Sequence, residues 1–131
     1  STNPEDYEEE KKMATLKDLL NEFAKLQGVT TVCLVGRDGF LLDSIATMGI
    51  DTEMIGAIAS SGFGASESMG RQLGKGAMSM TMIEFENGPV LFAPVGEDAF
   101  IVIIAEKESN LGMVRLKLKK HCNEIANAAA I

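Results

Sequence analysis

AMSMTMIEFENGPVLFAPVGEDAFIVIIA, residues 77–105, holds three strand-like runs divided by two turns. Ala77–Phe85 alternates Met78, Met80 and Met82 with Ser79, Thr81 and Ile83, the period of two that sends successive side chains to opposite faces. Asn87-Gly88 turns the chain, Pro89–Val95 returns, Gly96-Glu97-Asp98 turns it again, and Ala99–Ala105 completes a meander. Pro89 is tolerated at the first residue of a strand. The last run is apolar throughout, so it is predicted to be central and covered on both faces. The first run hangs on a hairpin alone and is predicted to form a sheet edge.

Working upstream, Asp51 precedes a helical stretch that runs to about Leu73, with Glu53 in its first turn to suit the helix dipole. Its glycines and serines are poor helix formers. They are not scattered: Gly62, Ser66, Gly70 and Gly74 recur every fourth residue and extend a line through Met54 and Ile58. Such a row either lets a second helix approach closely or fits the helix onto its own sheet. Before it, Val29–Gly36 and Phe40–Ile45 read as two strands joined by Arg37-Asp38-Gly39, an Asp-Gly turn of the type I′ kind. Leu16, Leu19, Leu20, Phe23 and Leu26 give a first helix over about Thr15–Leu26, stopped by Gly28, with Thr15 and Asp18 placed as a capping box. Downstream, Leu111, Val114, Leu118, Cys122, Ile125 and Ala129 form the apolar stripe of a last helix capped by Asn110. The order is α-ββ-α-βββ-α, with no internal repeat.

Composition bounds the function. The chain has 131 residues, 46% hydrophobic and 24% charged, enough for one globular domain. Net charge is −7, which opposes nucleic acid and anionic membranes as partners. Five of the acids (Glu5, Asp6, Glu8, Glu9, Glu10) crowd into residues 1–12, expected to be a flexible acidic tail of native or vector origin, ahead of a single domain over 13–131. The longest apolar run, Ala99–Ala105, is far short of the roughly 20 residues of a membrane span. Cys33 and Cys122 lie far apart with no CxxC spacing, so both read as reduced, inert thiols of a cytoplasmic protein.

No catalytic constellation emerges. His121 is the only histidine and sits in a basic run with Arg115, Lys117, Lys119 and Lys120, where it is expected to be a solvated surface residue. That run is either a solvated helix face or a contact for an acidic partner. No Cys/His spacing suits a metal, and no cofactor is expected. Gly70-Arg71-Gln72-Leu73-Gly74-Lys75-Gly76 is one residue short of a P-loop, lacks the Ser/Thr after its Lys, and follows a helix instead of a strand. The chain is therefore not expected to hydrolyse a nucleotide itself. Met78, Met80 and Met82 supply an adaptable apolar contact at an edge.

The hairpin Leu34-Val35-Gly36-Arg37-Asp38-Gly39-Phe40-Leu41-Leu42, the small-residue middle helix, and Gly96-Glu97-Asp98-Ala99-Phe100-Ile101-Val102-Ile103 leading to Asn110-Leu111-Gly112-Met113-Val114-Arg115 together resemble the Roadblock / dynein light chain superfamily. The resemblance covers Met13–Ile131 and is nearest to the bacterial or archaeal type. It implies an α/β sandwich: a five-stranded antiparallel sheet with the middle helix on one face and the terminal helices on the other. It further implies a non-enzymatic homodimer, paired through third strands and middle helices, that regulates or scaffolds a Ras-like small GTPase. In the bacterial gliding-polarity system such a dimer stimulates GTP hydrolysis. Carried onto this sequence, the dimer contacts fall on Met78, Met80, Met82, Glu84, Ile58, Gly62 and Ser66, and the GTPase-facing surface on Met54, Ser61, Ala65 and Ser68. Arg71 is the one arginine expected near that surface. It is not assigned as a finger, because hydrolysis-stimulating members of this family are held to rearrange the GTPase. A small-molecule sensor or general adaptor domain is the alternative, and it requires a pocket lined by polar as well as core residues.

Overall fold

The computed structural model describes residues 16–47 and 49–131. The expected acidic tail, the start of the domain at Met13 and the Thr15 half of the capping box lie outside the described residues. Residues 16–24 are helical (α1), followed by β1 (Val29–Gly36), β2 (Leu41–Ala46), α2 (Thr52–Gln72), β3 (Thr81–Phe85), β4 (Gly88–Val95), β5 (Ala99–Ala105) and α3 (Leu111–Ala128).

The strands form one antiparallel sheet in the order β2-β1-β5-β4-β3. β5 is central, as its unbroken apolar run demands, and β3 is an edge. The pleat splits β5 between two cores. Ile101 and Ile103 pack with Leu20 and Phe23 of α1 and with Val114, Leu118 and Ile125 of α3. Phe100 and Val102 pack on the other face with Ala59 and Phe63 of α2, joined by Cys33, Val35 and Phe92. Each fully buried large side chain contributes on the order of 2 kcal/mol. A sheet with apolar residues on both faces needs a helical cover on both. The result is the sandwich that the resemblance implies.

The β1–β2 connection differs from the expected type I′ turn. Gly39 alone has a positive φ, +90°, and Asp38 stays in the ordinary region. Gly39 N–H donates to Gly36 O at 2.9 Å, Gly36 N–H donates to Phe40 O at 2.8 Å, and Phe40 N–H donates to the Asp38 carboxylate at 3.0 Å. This is a three-residue loop in which the glycine occupies the left-handed bulge position. Asp38 therefore acts through its side chain, and β2 begins one residue late, at Leu41.

Candidate docking surface on the middle helix and the edge strand

Asp51 caps α2 by accepting from Met54 N–H at 3.1 Å. At the other end Gly74 N–H donates to Arg71 O and Lys75 N–H to Gly70 O, with Gly74 at φ +67°. This double bond pattern closes the helix in a Schellman motif. Gly56, Ala59 and Phe63 form its buried face. Phe63 lies flat on Phe100, ring centroids 4.3 Å apart and 7° between planes. The Arg37 guanidinium sits 5.0 Å over the other face of Phe63 and pairs with Glu67, tying the hairpin to the helix. So Arg71 is not the only arginine near α2, and Arg37 is already engaged.

At 100° per residue, Met54, Ser61, Ala65 and Ser68 fall opposite the buried face. The first three are exposed and Ser68 is half-buried. Ile58, Gly62 and Ser66 flank that outer row. Ile58 and Gly62 border an apolar groove of about 290 Å³, whose other walls are Ile83 and Phe85 of β3 and Phe92 of β4. No polar side chain lines it. Ile58 is 66% and Phe85 59% exposed, an unusual state for side chains of this size. A second trough, about 350 Å³, lies between the end of α2 and the segment leading into β3, and Met69, Leu73, Met78 and Met80 are among its walls.

The methionine row needs correcting. Sequence alternation starts the third strand at Ala77, but pairing with β4 starts only at Thr81. Met78 packs against the α2-side core and Met80 against the α1/α3-side core, so the three methionines do not share one face. Met82 stands opposite Leu91, on the α1/α3 side. Glu84 pairs with Pro89 in the ladder and is exposed. The β3 side chains that reach the α2 groove are Ile83 and Phe85. Ile83 and Phe85 alternate with Met82 and Glu84, so they lie on the opposite face from Met82.

The small-residue row has reasons within the chain. Within the row, a Cβ on Gly62 would stand 3.3 Å from the Phe92 ring and one on Gly70 3.0 Å from Gly76 O; off the row, one on Gly56 would stand 2.9 Å from Gly39 O. The reading that the row fits the helix onto its own chain therefore has a basis at Gly62 and Gly70, while Ile58 and Gly62 also border the open groove.

His121 also departs from expectation. It is buried, 8% exposed, edge-on to Phe23 of α1 at 6.3 Å, with Nδ1 3.1 Å from the Glu124 carboxylate. Among its basic neighbours, Lys117 donates to Glu22 of α1 at 2.9 Å, and that hydrogen bond and charge hold the Glu22 carboxyl below its ordinary range. Arg115, Lys119 and Lys120 are exposed. Burial pushes the Cys33 thiol up to about 11 and raises that of Cys122 too. Among the described residues there is no group of three or more His, Cys, Asp or Glu placed to hold a metal. No described helix is long and apolar enough to cross a membrane.

Comparison with known proteins agrees with this architecture. The uncharacterized protein MJ0310 of Methanocaldococcus jannaschii is 35% identical over 107 residues, 82% of this chain and 93% of its own length. Among solved structures, an MglB with a tetrameric arrangement superposes with a TM-score of 0.80 at 20% identity, covering 91% of this chain and 90% of that one. Myxococcus xanthus MglB gives 0.75 at 25% identity, covering 88% and 93%. The Roadblock/LC7 domain family matches residues 15–105, from the end of the undescribed segment through β5. The chain belongs to the Roadblock/LC7 family.

Proposed function

We propose that this chain is a non-enzymatic, homodimeric regulator or scaffold that engages a Ras-like small GTPase across the outer face of α2. The observation that carries the reading is the apolar groove between α2 and β3 beside an edge strand that has no partner on its outer side among the described residues. Strand edges with exposed apolar side chains are normally covered or used. A second copy added along β3 would satisfy its backbone groups and set two α2 helices side by side over the paired grooves. Similarity to MglB structures, one of them in a tetrameric arrangement, supports self-association. Membership in the Roadblock/LC7 family supports a regulatory role without chemistry of its own.

In this reading Met54, Ser61, Ala65 and Ser68 of the two helices form one continuous outward surface for the GTPase. To stimulate hydrolysis, that surface must hold the switch regions in their transition-state arrangement more tightly than in the ground state. At this groove the sensor alternative is the weaker one, since the lining has no polar side chain with which to fix a ligand.

The test is a pull-down from native lysate with the immobilised protein, in GDP and in a non-hydrolysable GTP analogue, read by mass spectrometry. Retention of a small GTPase mainly with the analogue supports a regulator that reads the switch state, and equal retention supports a scaffold. Absence of any GTPase from both lanes removes the GTPase reading.

A further inference from the structure

A third depression, about 230 Å³, opens on the opposite side of the sheet from the α2 groove. Met80, Pro94, Leu118 and Cys122 give it an apolar floor, and Arg115 and Lys119 stand one helical turn apart at its rim. Both cations are exposed and neither has an acidic partner among the described residues, whereas Lys117 between them is taken by Glu22. An apolar pocket with a cationic lip suits an aromatic side chain flanked by carboxylates. The chain holds two such segments. Phe85 lies between Glu84 and Glu86, but β3 fixes it to β4. The other is Glu5-Asp6-Tyr7-Glu8-Glu9-Glu10, five acids around the only tyrosine.

We propose that this acidic segment of the same chain docks on α3, with Tyr7 in the pocket and its flanking carboxylates on Arg115 and Lys119. The path is short enough. Gln27 O accepts from Asn110 N–H at one end of the α1–α3 pair, and Phe23 meets His121 further along, so the two helices run antiparallel. The chain ahead of Leu16 therefore enters beside the C-terminal half of α3. Leu16 lies seven residues before Phe23 and Arg115 six residues back from His121, so the two stand about 20 Å apart along the axis. The nine residues from Tyr7 to Leu16 reach up to roughly 30 Å when extended, enough to cross α3. Ion pairs at an exposed rim are weak and screened by salt, so docking is reversible and the apolar anchor is needed to place it. Neither the dimer nor the GTPase enters this inference.

The chain has no tryptophan, and Tyr7 is its only tyrosine, so tyrosine fluorescence reports on position 7 alone. In the full chain at low salt, the acrylamide quenching constant of Tyr7 is expected to be about threefold lower than in 0.5 M NaCl, where the Debye length falls to roughly 4 Å. Arg115→Glu with Lys119→Glu should release Tyr7 at low salt, and so should Glu8→Lys with Glu9→Lys and Glu10→Lys. Combining both sets should restore protection, an outcome that misfolding of either variant cannot imitate. Equal quenching in every form and at both salts overturns the inference. Protection that vanishes on dilution places the segment on a second copy and overturns docking within one chain.

Discussion

Cys33 sits on β1 with no exposed surface, among the residues that α2 covers. Its thiol is ionised at about 11, against 9.0 when unperturbed, because burial penalises the thiolate. The group binds its proton more tightly folded than unfolded. Its contribution to stability is therefore complete below pH 9 and is lost as pH rises toward 11. Urea melts at pH 8 and at pH 10.5 should show lower stability at the higher pH, and Cys33→Ala should reduce the difference, with Cys122 supplying part of the remainder. At pH 8 iodoacetamide should label Cys33 only after unfolding, read by mass spectrometry. The burial of Cys33 was legible in the sequence from its apolar neighbours. His121 departs from the expectation its neighbours set. Its lysine neighbours suggested solvent, yet Val114, Leu118, His121 and Ile125 follow the three-four spacing of a buried helical stripe. Periodicity outranked charge, because adjacent helix residues face directions 100° apart.

The α2 helix shows why its glycines cannot be read as one class. Intrinsic propensity says that Gly→Ala at any interior position gains up to about 1 kcal/mol. At Gly64 a Cβ meets open space, and Gly64→Ala should stabilise the protein by about 0.5–1 kcal/mol. At Gly56 the new Cβ would press on Gly39 O, a backbone atom held in place by the β1–β2 loop. Gly56→Ala should therefore destabilise, by about 1–3 kcal/mol. Thermal melts of the two variants should move in opposite directions. If both rise, the hairpin yields and α2 is less tightly seated than the distances imply. Both glycines lie away from the groove, so neither change bears on association. The helix itself was legible through Asp51, Glu53 and the four-residue row. Which glycines touch backbone was not, because the partner atom lies 17 residues away in a turn whose geometry the Asp38-Gly39 pair alone did not fix. β3 failed for a related reason: alternation from Ala77 to Phe85 is continuous in sequence, but pairing starts only where β4 supplies a partner.

At the scale of the whole molecule, the apolar surface is unevenly distributed. Ile58 and Met69 of α2, Leu73 at its C-cap, and Ile83 and Phe85 of β3 are exposed around the α2–β3 groove and its neighbouring trough. β5 and both cores are closed within one chain, so this patch is surplus to folding. Exposed apolar surface gathered beside an open strand edge is the signature of a contact between molecules. The test must separate association from folding. Met80 is a poor probe, since it is half-buried against the α1/α3-side core and a charge there would disturb packing. Ile58 is the better one: it is exposed in the single chain, so Ile58→Glu should leave the thermal stability of a monomer unchanged within about 0.5 kcal/mol. In a dimer packed through α2 and β3, two such carboxylates would be brought into an apolar seam, and burying unpaired charge is strongly unfavourable. Light scattering should give twice the chain mass for the native protein and the single mass for Ile58→Glu. Ser61→Glu, one turn away on the outer face, should keep the dimer and lose the GTPase from the pull-down. If Ile58→Glu remains dimeric, the groove is not the seam. If Ser61→Glu alone dissociates the protein, the outer face of α2 serves self-association and the GTPase must engage elsewhere.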